Sequence, residues 1–292
     1  MKDKVCCAIV TYNCDEKFMD TFNSVIKQVD KVVIIDNGSN KKTLDMLNNL
    51  KLNYDIKLIL CNDNIGIAAA LNKGIKYAEE NNYYWILTLD HDSILDQNMV
   101  KNLLETYYNL SQIERKKVVS LLPRYIEAGL DIDEQLKEKK DDISYVIGGI
   151  TSGNLVKLSC FKDIGLFDEK LFIDFVDFDF CFRVREKGYE IIEVSKALLF
   201  HTVGNVKEAK FLWKNIIYSN HSAIRRYYIT RNRRYCWERY KDIASDFIKA
   251  DKDNDWREIV KIVLYEDHKY SKIKMVIRGI LDYKRNKFGK YI

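Results

Sequence analysis

Two carboxylates one residue apart close an apolar, aromatic run in Tyr84-Trp85-Ile86-Leu87-Thr88-Leu89-Asp90-His91-Asp92-Ser93. The run reads as a buried strand bounded by polar residues. Residues i and i+2 of an extended segment point to the same side, so Asp90 and Asp92 are expected to converge while His91 turns away. Converging carboxylates are costly unless something positive lies between them, and a divalent ion with oxygen ligands meets that need. A second acidic group alternates with aromatics in Phe172-Ile173-Asp174-Phe175-Val176-Asp177-Phe178-Asp179-Phe180-Cys181-Phe182-Arg183, where a helix is expected to start. A helix N-terminus favours ionised carboxylates. Asp179 and Arg183 are spaced i, i+4 and are expected to pair, which gives Asp179 a structural role. Asp177 is then the candidate general base, an ionised carboxylate among aromatic walls. On sequence alone all three acids also read as plain helix caps. His201 ends an extended segment close to Gly204 and is a candidate metal ligand; His91, His221 and His268 read as structural or exposed.

These residues need elements to hold them. Val5–Thr11, Lys31–Asp36, Ile56–Cys61 and Tyr83–Leu89 read as strands, the second rich in β-branched residues. Glu16–Val29, the segment after Asn37-Gly38-Ser39-Asn40, and Ile67–Glu80 read as helices, and that turn stretch supplies an N-cap. The first 90 residues thus alternate β-α-β-α-β-α-β. That order predicts a mostly parallel sheet covered by helices, with ligands at the carboxyl ends of the strands. Thr11-Tyr12-Asn13, Asp36, Asn64-Ile65-Gly66, and Asp90 with Asp92 each follow one of those strands, so all fall on one sheet edge. Beyond them, Asp96–Leu110 reads as helical, Val118–Leu122 and Ser144–Ile147 as strands, and Leu130–Asp142 as a charged, mobile connection. Phe175–Lys187 reads as a helix stopped by Gly188, Glu190–Phe200 as extended, and the chain from about Val206 as basic amphipathic helices.

Neither G-x-x-x-x-G-K-[ST] nor G-x-G-x-x-G occurs, so a glycine loop that cradles phosphates is missing from the pattern. If the edge binds a nucleotide, a metal must neutralise its diphosphate, and Asp90-x-Asp92 fits that requirement. The 292 residues, 47% hydrophobic, allow one large domain or a domain with an appendage. Seven cysteines at irregular spacing, with no C-x-x-C, argue against a zinc or disulfide framework and for a reducing cytoplasm. No segment approaches the roughly 20 apolar residues of a membrane span. The formal net charge of +5 is concentrated late in the chain. Residues 269–292 carry Lys269, Lys272, Lys274, Arg278, Lys284, Arg285, Lys287 and Lys290 against Asp282, and an earlier cluster holds Arg225, Arg226, Arg231, Arg233, Arg234 and Arg239.

The chain resembles family 2 glycosyltransferases of the GT-A fold, most closely bacterial rhamnosyltransferases. The resemblance rests on Ala8-Ile9-Val10-Thr11-Tyr12-Asn13, Val33-Ile34-Ile35-Asp36-Asn37-Gly38-Ser39 and the stretch Asn64–Gly74. It continues through Leu87–Ser93, Gly153-Asn154-Leu155, Gly165–Glu169, Phe172–Asp177 and His201. It spans roughly residues 5–205; Arg225-Arg226-Tyr227-Tyr228 and Arg231-Asn232 extend it loosely. It implies an α/β GT-A domain over 1–205 and a basic α-helical region over 206–292. It also implies that Thr11, Tyr12 and Asp36 hold a nucleoside and that Asn64, Asn72 and Lys73 line the donor side. Asp90 would contact the ribose or the metal. Asp92, with His201 and Asp90, would bind Mg²⁺ or Mn²⁺, and Asp177 would deprotonate the acceptor. Many members carry Glu-Asp where this chain has Val176-Asp177, which leaves Asp174 as a rival base beside the substrate.

The implied function is inverting transfer of a sugar, dTDP-L-rhamnose being the expected donor, to a saccharide or lipid-linked glycan in cell-surface polysaccharide synthesis. UDP-galactofuranose, UDP-galactose, UDP-glucose and UDP-N-acetylglucosamine are the alternative donors. The basic C-terminus reads either as a solvated helix surface or as a peripheral footing on anionic membrane; its helices also offer a homodimer surface. A different class, nucleic-acid binding, would use the arginines of 225–239 with Tyr227, Tyr228, Tyr235 and Trp237, but it leaves the acidic clusters unexplained, so no nucleic-acid partner is expected. A non-catalytic nucleotide-sugar-binding or scaffold protein is a further alternative, and a nucleotidyltransferase making sugar nucleotides is another, though it would normally carry the glycine-rich phosphate loop missing here.

Overall fold

A computed structural model describes residues 3–127, 132–137, 141–201, 206–211 and 214–292, in two compact units. The first comprises Met1–Glu169 with Val176–Thr202, and the second Lys170–Phe175 with Val203–Ile292.

The first unit opens with β1 (Val5–Thr11), α1 (Phe18–Val25), β2 (Lys31–Asp36), α2 (Lys41–Asn53), β3 (Ile56–Leu60), α3 (Ile67–Glu80) and β4 (Trp85–Asp90). The strands lie in the order β3-β2-β1-β4 and are all parallel. Every residue of β1 is buried, as its unbroken apolar run requires of a strand covered on both faces. One face packs Cys7, Ile9 and Ile34 against Phe18 and Phe22 of α1 and Leu47 of α2. On the other, α3 approaches β1 so closely that a Cβ on Gly74 would lie 2.6 Å from the Ala8 Cβ. Asn40 caps α2, its side chain accepting from the Thr43 N–H at 3.1 Å.

The sheet then turns mixed. β5 (Ser93–Leu95), α4 (Met99–Asn109), α5 (Gln112–Lys117) and β6 (Val118–Glu127) follow. After them come α6 (Ile132–Lys137), β7 (Ile143–Tyr145), β8 (Asn154–Lys157), α7 (Phe161–Ile164), α8 (Val176–Glu186) and β9 (Glu190–His201). The order continues β4-β8-β6-β9-β5, with β7 also on β9. Only β6 and β9 are parallel here. Pro123, the single proline of the chain, marks a register break: it faces Val194 while Arg124 faces Leu198. Proline has no N–H to give the ladder, so it sits where the ladder is interrupted. Part of the charged connection expected to be mobile is helical, as α6; its residues 130, 131 and 138–140 lie outside the described set.

The second unit corrects one expectation. The region after Val206 does not begin as helix. β10 (Val206–Phe211) and β11 (Lys214–Ser219) pair antiparallel before α9 (Ala223–Arg239), α10 (Ser245–Leu264) and α11 (Lys269–Lys284). The hairpin segments are too short to show a helical period, and the basic residues within them mimic the helices that follow. Gly204 and the rest of 202–205 lie outside the described residues. The core of this unit includes Phe172, Tyr227 and Tyr228, with Ile173, Met275 and Tyr291 packed on them. Three of the arginines of α9 face inward. Arg226, Arg231 and Arg233 are all buried, and Arg233 reaches Asp251 at 3.1 Å, Asp255 at 2.7 Å and Glu258 at 3.3 Å. The residues a nucleic-acid surface would use are therefore largely internal, with Tyr227 and Tyr228 among them.

Candidate active site

Parallel register brings the first-half candidates to one edge. Thr11 faces Asp36 across β1 and β2, and Val10 faces Asp90 across β1 and β4. The strand order reverses direction between β1 and β4, the position at which open α/β sheets take ligands beyond their carboxyl ends. Thr11 and Asp36 are fully buried, and the Thr11 hydroxyl donates to Asp36 Oδ1 at 3.2 Å. Asp36 Oδ2 accepts from the N–H groups of Gly38 at 3.2 Å and Ser39 at 3.0 Å, which folds the loop after β2 back over the strand end. Gly38 has φ +81°, and a Cβ there would come within 2.5 Å of the Asp63 backbone, so the turn needs glycine twice over. Asn37 joins this loop to the next: its Oδ1 accepts from the Ile65 N–H, and its amide donates to Asn64 Oδ1. Asn64 Oδ1 also accepts from Gly66 N–H at 3.0 Å, just ahead of α3. Tyr12 is exposed on the edge. Lys73 is exposed on α3, and both it and Asp36 act electrostatically on the Cys61 thiol at the end of β3.

Asn72 has a different setting. It is buried in α3, its amide donating to the Phe167 carbonyl and Glu169 Oε1, each at 2.9 Å, while its Oδ1 accepts from Phe167 N–H at 3.0 Å. The side chain ties α3 to the chain at 167–169. A helical spacing cannot distinguish such a clamp from a ligand-facing amide.

β4 ends at Asp90, and His91-Asp92 form a turn before β5 starts at Ser93. The alternation expected to carry Asp90 and Asp92 to the same side therefore stops at Asp90. The turn is held by other means. Ser152, itself buried, receives the Asp90 N–H at 3.0 Å and donates to Ser93 Oγ at 2.7 Å. The His91 carbonyl accepts from Thr21. Asp92 is exposed and Asp90 half-buried. His201 lies opposite Ser93 in the β5–β9 ladder and opposite Glu127 in the β6–β9 ladder, so its backbone is one register step from Asp92. The side chain of His201 is outside the described set. Among the described residues no three His, Cys, Asp or Glu side chains form a ready-made cation cage. Two carboxylates at an exposed strand end, with a histidine in register, nevertheless make a donor set suited to Mg²⁺, which commonly takes one or two carboxylates and fills its shell with phosphate oxygens and water. Glu127 and Tyr125 were not singled out by sequence. Asp92 and Glu127 both push the Tyr125 phenol upward, after burial, which places all three at one end of the sheet.

The second acidic cluster divides. Asp179 is buried and accepts from Arg183 Nε at 3.0 Å, as the i, i+4 spacing predicts, and Arg183 also binds the Ile164 carbonyl at 2.7 Å. Asp177 is half-buried in the first turn of α8, where its Oδ1 accepts from Phe178 N–H at 2.9 Å. Asp174 belongs to the second unit. Its Oδ1 accepts from Arg225 Nε and Nη2 at 3.1 and 3.0 Å. Burial raises the Asp174 pKa from its ordinary value, and Arg225 opposes that shift.

This edge lies on a sheet of GT-A architecture, the fold of a glycosyltransferase. Residues 6–115 match the family described as Glycosyl transferase family 2. The chain is 29% identical over 245 residues to the dTDP-rhamnosyl transferase RfbF of Shigella flexneri, which covers 80% of this chain and 79% of that one. It is 25% identical over 223 residues to the poly-β-1,6-N-acetyl-D-glucosamine synthase of Staphylococcus epidermidis, which covers 70% of this chain and 52% of the synthase. The chain thus spans about half the length of that relative. Among solved structures, GalNAc-T7 with UDP, GalNAc and Mn²⁺ superposes with a TM-score of 0.62 at 17% identity, covering 97% of this chain and 56% of that one. S. aureus TarS 1–349 in complex with UDP-GlcNAc gives a TM-score of 0.54 at 15% identity, covering 97% of this chain and 73% of that one. At these identities the structural likeness establishes the fold.

Proposed function

We infer that this chain transfers L-rhamnose from dTDP-β-L-rhamnose, with inversion, to a hydroxyl of a saccharide or lipid-linked glycan. The observation that carries this reading is the convergence of Thr11, Asp36, Asn64 and Asp90 on one sheet edge, in a chain alike along most of its length to a dTDP-rhamnosyl transferase. We assign the chemistry to residues 1–205. Thr11, Tyr12 and the loop folded by Asp36 hold the nucleoside; Asn64 and Lys73 line the donor side, and Asn72 fixes α3 against the 167–169 segment. Asp90, Asp92 and His201 are the residues that would hold Mg²⁺ or Mn²⁺, and the bound ion supplies neutralisation of charge on the departing diphosphate. Asp177 takes the proton of the acceptor hydroxyl as its oxygen forms a bond to the anomeric carbon. The bond from that carbon to the diphosphate breaks on the opposite face, through an oxocarbenium-like state. One displacement inverts the centre, and an α-L-rhamnoside results. The N-terminal position of Asp177 on α8 favours the ionised form it needs. The tie between Asp174 and Arg225 supports Asp177 over Asp174 as the base.

Release of nucleoside diphosphate from a donor panel tests this reading, with each donor run in Mn²⁺, Mg²⁺ and EDTA. Metal-dependent turnover of dTDP-rhamnose alone is the expected result. Selective turnover of a UDP-sugar would retain the mechanism and replace the donor, an outcome favoured by the likeness to the N-acetylglucosamine synthase. Silence on every donor together with failure to bind dTDP or UDP would return the protein to a non-catalytic reading.

The lipid-linked form of the acceptor is supported by α10 and α11. Trp256, Val260, Val263 and Leu264 are exposed at helical spacing on α10, as are Tyr270, Ile277 and Leu281 on α11. The exposed face of α11 adds Lys274, Lys284 and Arg285. Apolar stripes flanked by cations suit an anionic membrane surface. A homodimer through the same face would press these like charges together. Among the described residues no helix is long and apolar enough to cross a membrane.

A further inference from the structure

The chain from Lys170 to Phe175 adopts a backbone that its residues disfavour. Phe172, Asp174 and Phe175 have φ of 68°, 63° and 65°, in the left-handed region that non-glycine residues avoid. Three such residues within four positions persist only where surrounding contacts over-determine them. Those contacts come from α9. Asn232 is fully buried, and its amide lies 2.8 Å from the Leu171 carbonyl, 2.8 Å from that of Ile173 and 2.9 Å from that of Asp174. Its Oδ1 accepts from Arg231 Nε at 2.9 Å, which fixes the orientation of the amide. Arg231, equally buried, donates through Nη2 to the carbonyls of Leu171 at 3.0 Å and Lys170 at 3.3 Å, and through Nη1 to that of Gly289 at 2.8 Å. Its guanidinium also lies over the rings of Tyr227, Tyr228 and Phe288. A buried arginine spent on backbone carbonyls and aromatic faces is unusual, because desolvation is costly unless a specific geometry is held in return. Phe172 stacks on Tyr228 at 5.1 Å, and Arg225 grips Asp174 from the exposed side.

We propose that Arg231 and Asn232 are positioning residues for glycosyl transfer: they hold residues 170–175, the segment that precedes Asp177 in the chain, in its left-handed path. The inference rests on the reading of Asp177 as the base. The clamp acts on backbone carbonyls, so the side chains of the segment can vary while its path is kept. Asn232 supplies an amide where an acid would repel the carbonyls and a longer side chain would displace them.

The test compares the full-length Asn232→Asp, Asn232→Gln, Arg231→Lys and Asp177→Asn proteins with wild type. The readouts are dTDP affinity, kcat and KM for dTDP-rhamnose turnover, and hydrogen exchange over residues 170–178. In Asn232→Asp, exchange over 170–178 quickens and kcat falls about 10²-fold with dTDP affinity and donor KM within about twofold of wild type. Asn232→Gln, which keeps the amide, recovers part of the rate. Wild-type exchange or wild-type kcat in a folded Asn232→Asp overturns the proposal, as does a loss of dTDP affinity equal to the loss of rate. Should Asn232→Asp fail to fold, Arg231→Lys and Asn232→Gln decide by the same readouts, and wild-type kcat in both overturns it. Asp177→Asn turning over normally would remove Asp177 as the base. Faster exchange with lost kcat in Asn232→Asp would then still support the clamp, acting on another group of the segment, and unchanged exchange would still overturn it.

Discussion

Asp177 and His221 differ in the charge state that their surroundings favour. Asp177 lies in the first turn of α8, where the positive end of a helix favours a carboxylate over its protonated form. Asp177→Asn is expected to retain dTDP binding and to lower kcat by about 10²–10⁴-fold, the usual contribution of general acid–base catalysis. Donor-binding titration beside turnover checks it, and undiminished turnover would move the base elsewhere. His221 is held neutral instead. Burial, and then Arg225, Arg226 and Lys272, push its pKa down from 6.5 to about 4. The unfolded chain takes up this proton at its ordinary pKa, so the contribution of His221 to stability is complete above pH 6.5 and is lost as pH falls toward about 4. Melting temperature should therefore decline across that window, and His221→Asn should flatten the decline. Superimposable pH profiles for the two proteins would rule His221 out as the cause.

At the scale of elements, α3 shows how packing can reverse a propensity. An exposed helix-interior glycine replaced by alanine gains about 1 kcal/mol. At Gly74 the added carbon would meet the Ala8 Cβ at 2.6 Å and Ile35 Cδ1 at 3.1 Å. Both neighbours are themselves fully buried in central strands, so α3 must lift from the sheet. Gly74→Ala is expected to destabilise by about 1–3 kcal/mol, as overpacking does, measured by urea unfolding. A gain in stability would mean that α3 has room the packing does not show. The β-α alternation of the first 90 residues was legible because each parallel strand is a continuous apolar run and each helix carries a 3.6-residue apolar period. The β10–β11 hairpin and the turn at His91-Asp92 were not legible. The hairpin strands are too short to display a period, and the turn depends on Ser152, which is 60 residues further along the chain.

Across the whole molecule, charge is distributed by burial rather than by sequence. The arginine run of α9 resembles a basic surface when read linearly. In the fold Arg233 neutralises Asp251, Asp255 and Glu258 in the interior of the second unit. Arg233→Met should cost about 3–5 kcal/mol, since it leaves largely buried carboxylates without their counter-charge. Denaturant unfolding reads that loss, and a neutral result would show that water reaches the cluster. α11, by contrast, carries exposed positive charge. Lys272 and Asp282 of that helix are buried, so truncation would remove structure along with charge. Reversal of exposed Lys274, Lys284 and Arg285 to Glu avoids that confusion. At about 1 kcal/mol per cation near an anionic surface, the triple variant should bind phosphatidylserine vesicles at least about 10²-fold more weakly. Unchanged sedimentation with vesicles would remove the membrane from the account of this face.

By itself, the sequence determined the parallel α/β half, the edge on which Thr11, Asp36, Asn64 and Asp90 meet, and the Asp179–Arg183 pair. Each depends on local periodicity and on residues a few positions apart. Tertiary structure decided that Asn72 clamps 167–169, that Asp174 answers to Arg225, and that the carbonyls of Leu171 and Ile173 are held by Arg231 and Asn232. Those contacts join positions about 50 to 100 residues apart in the chain. Composition and spacing carry no record of such distances, because only chain closure and burial bring the partners together.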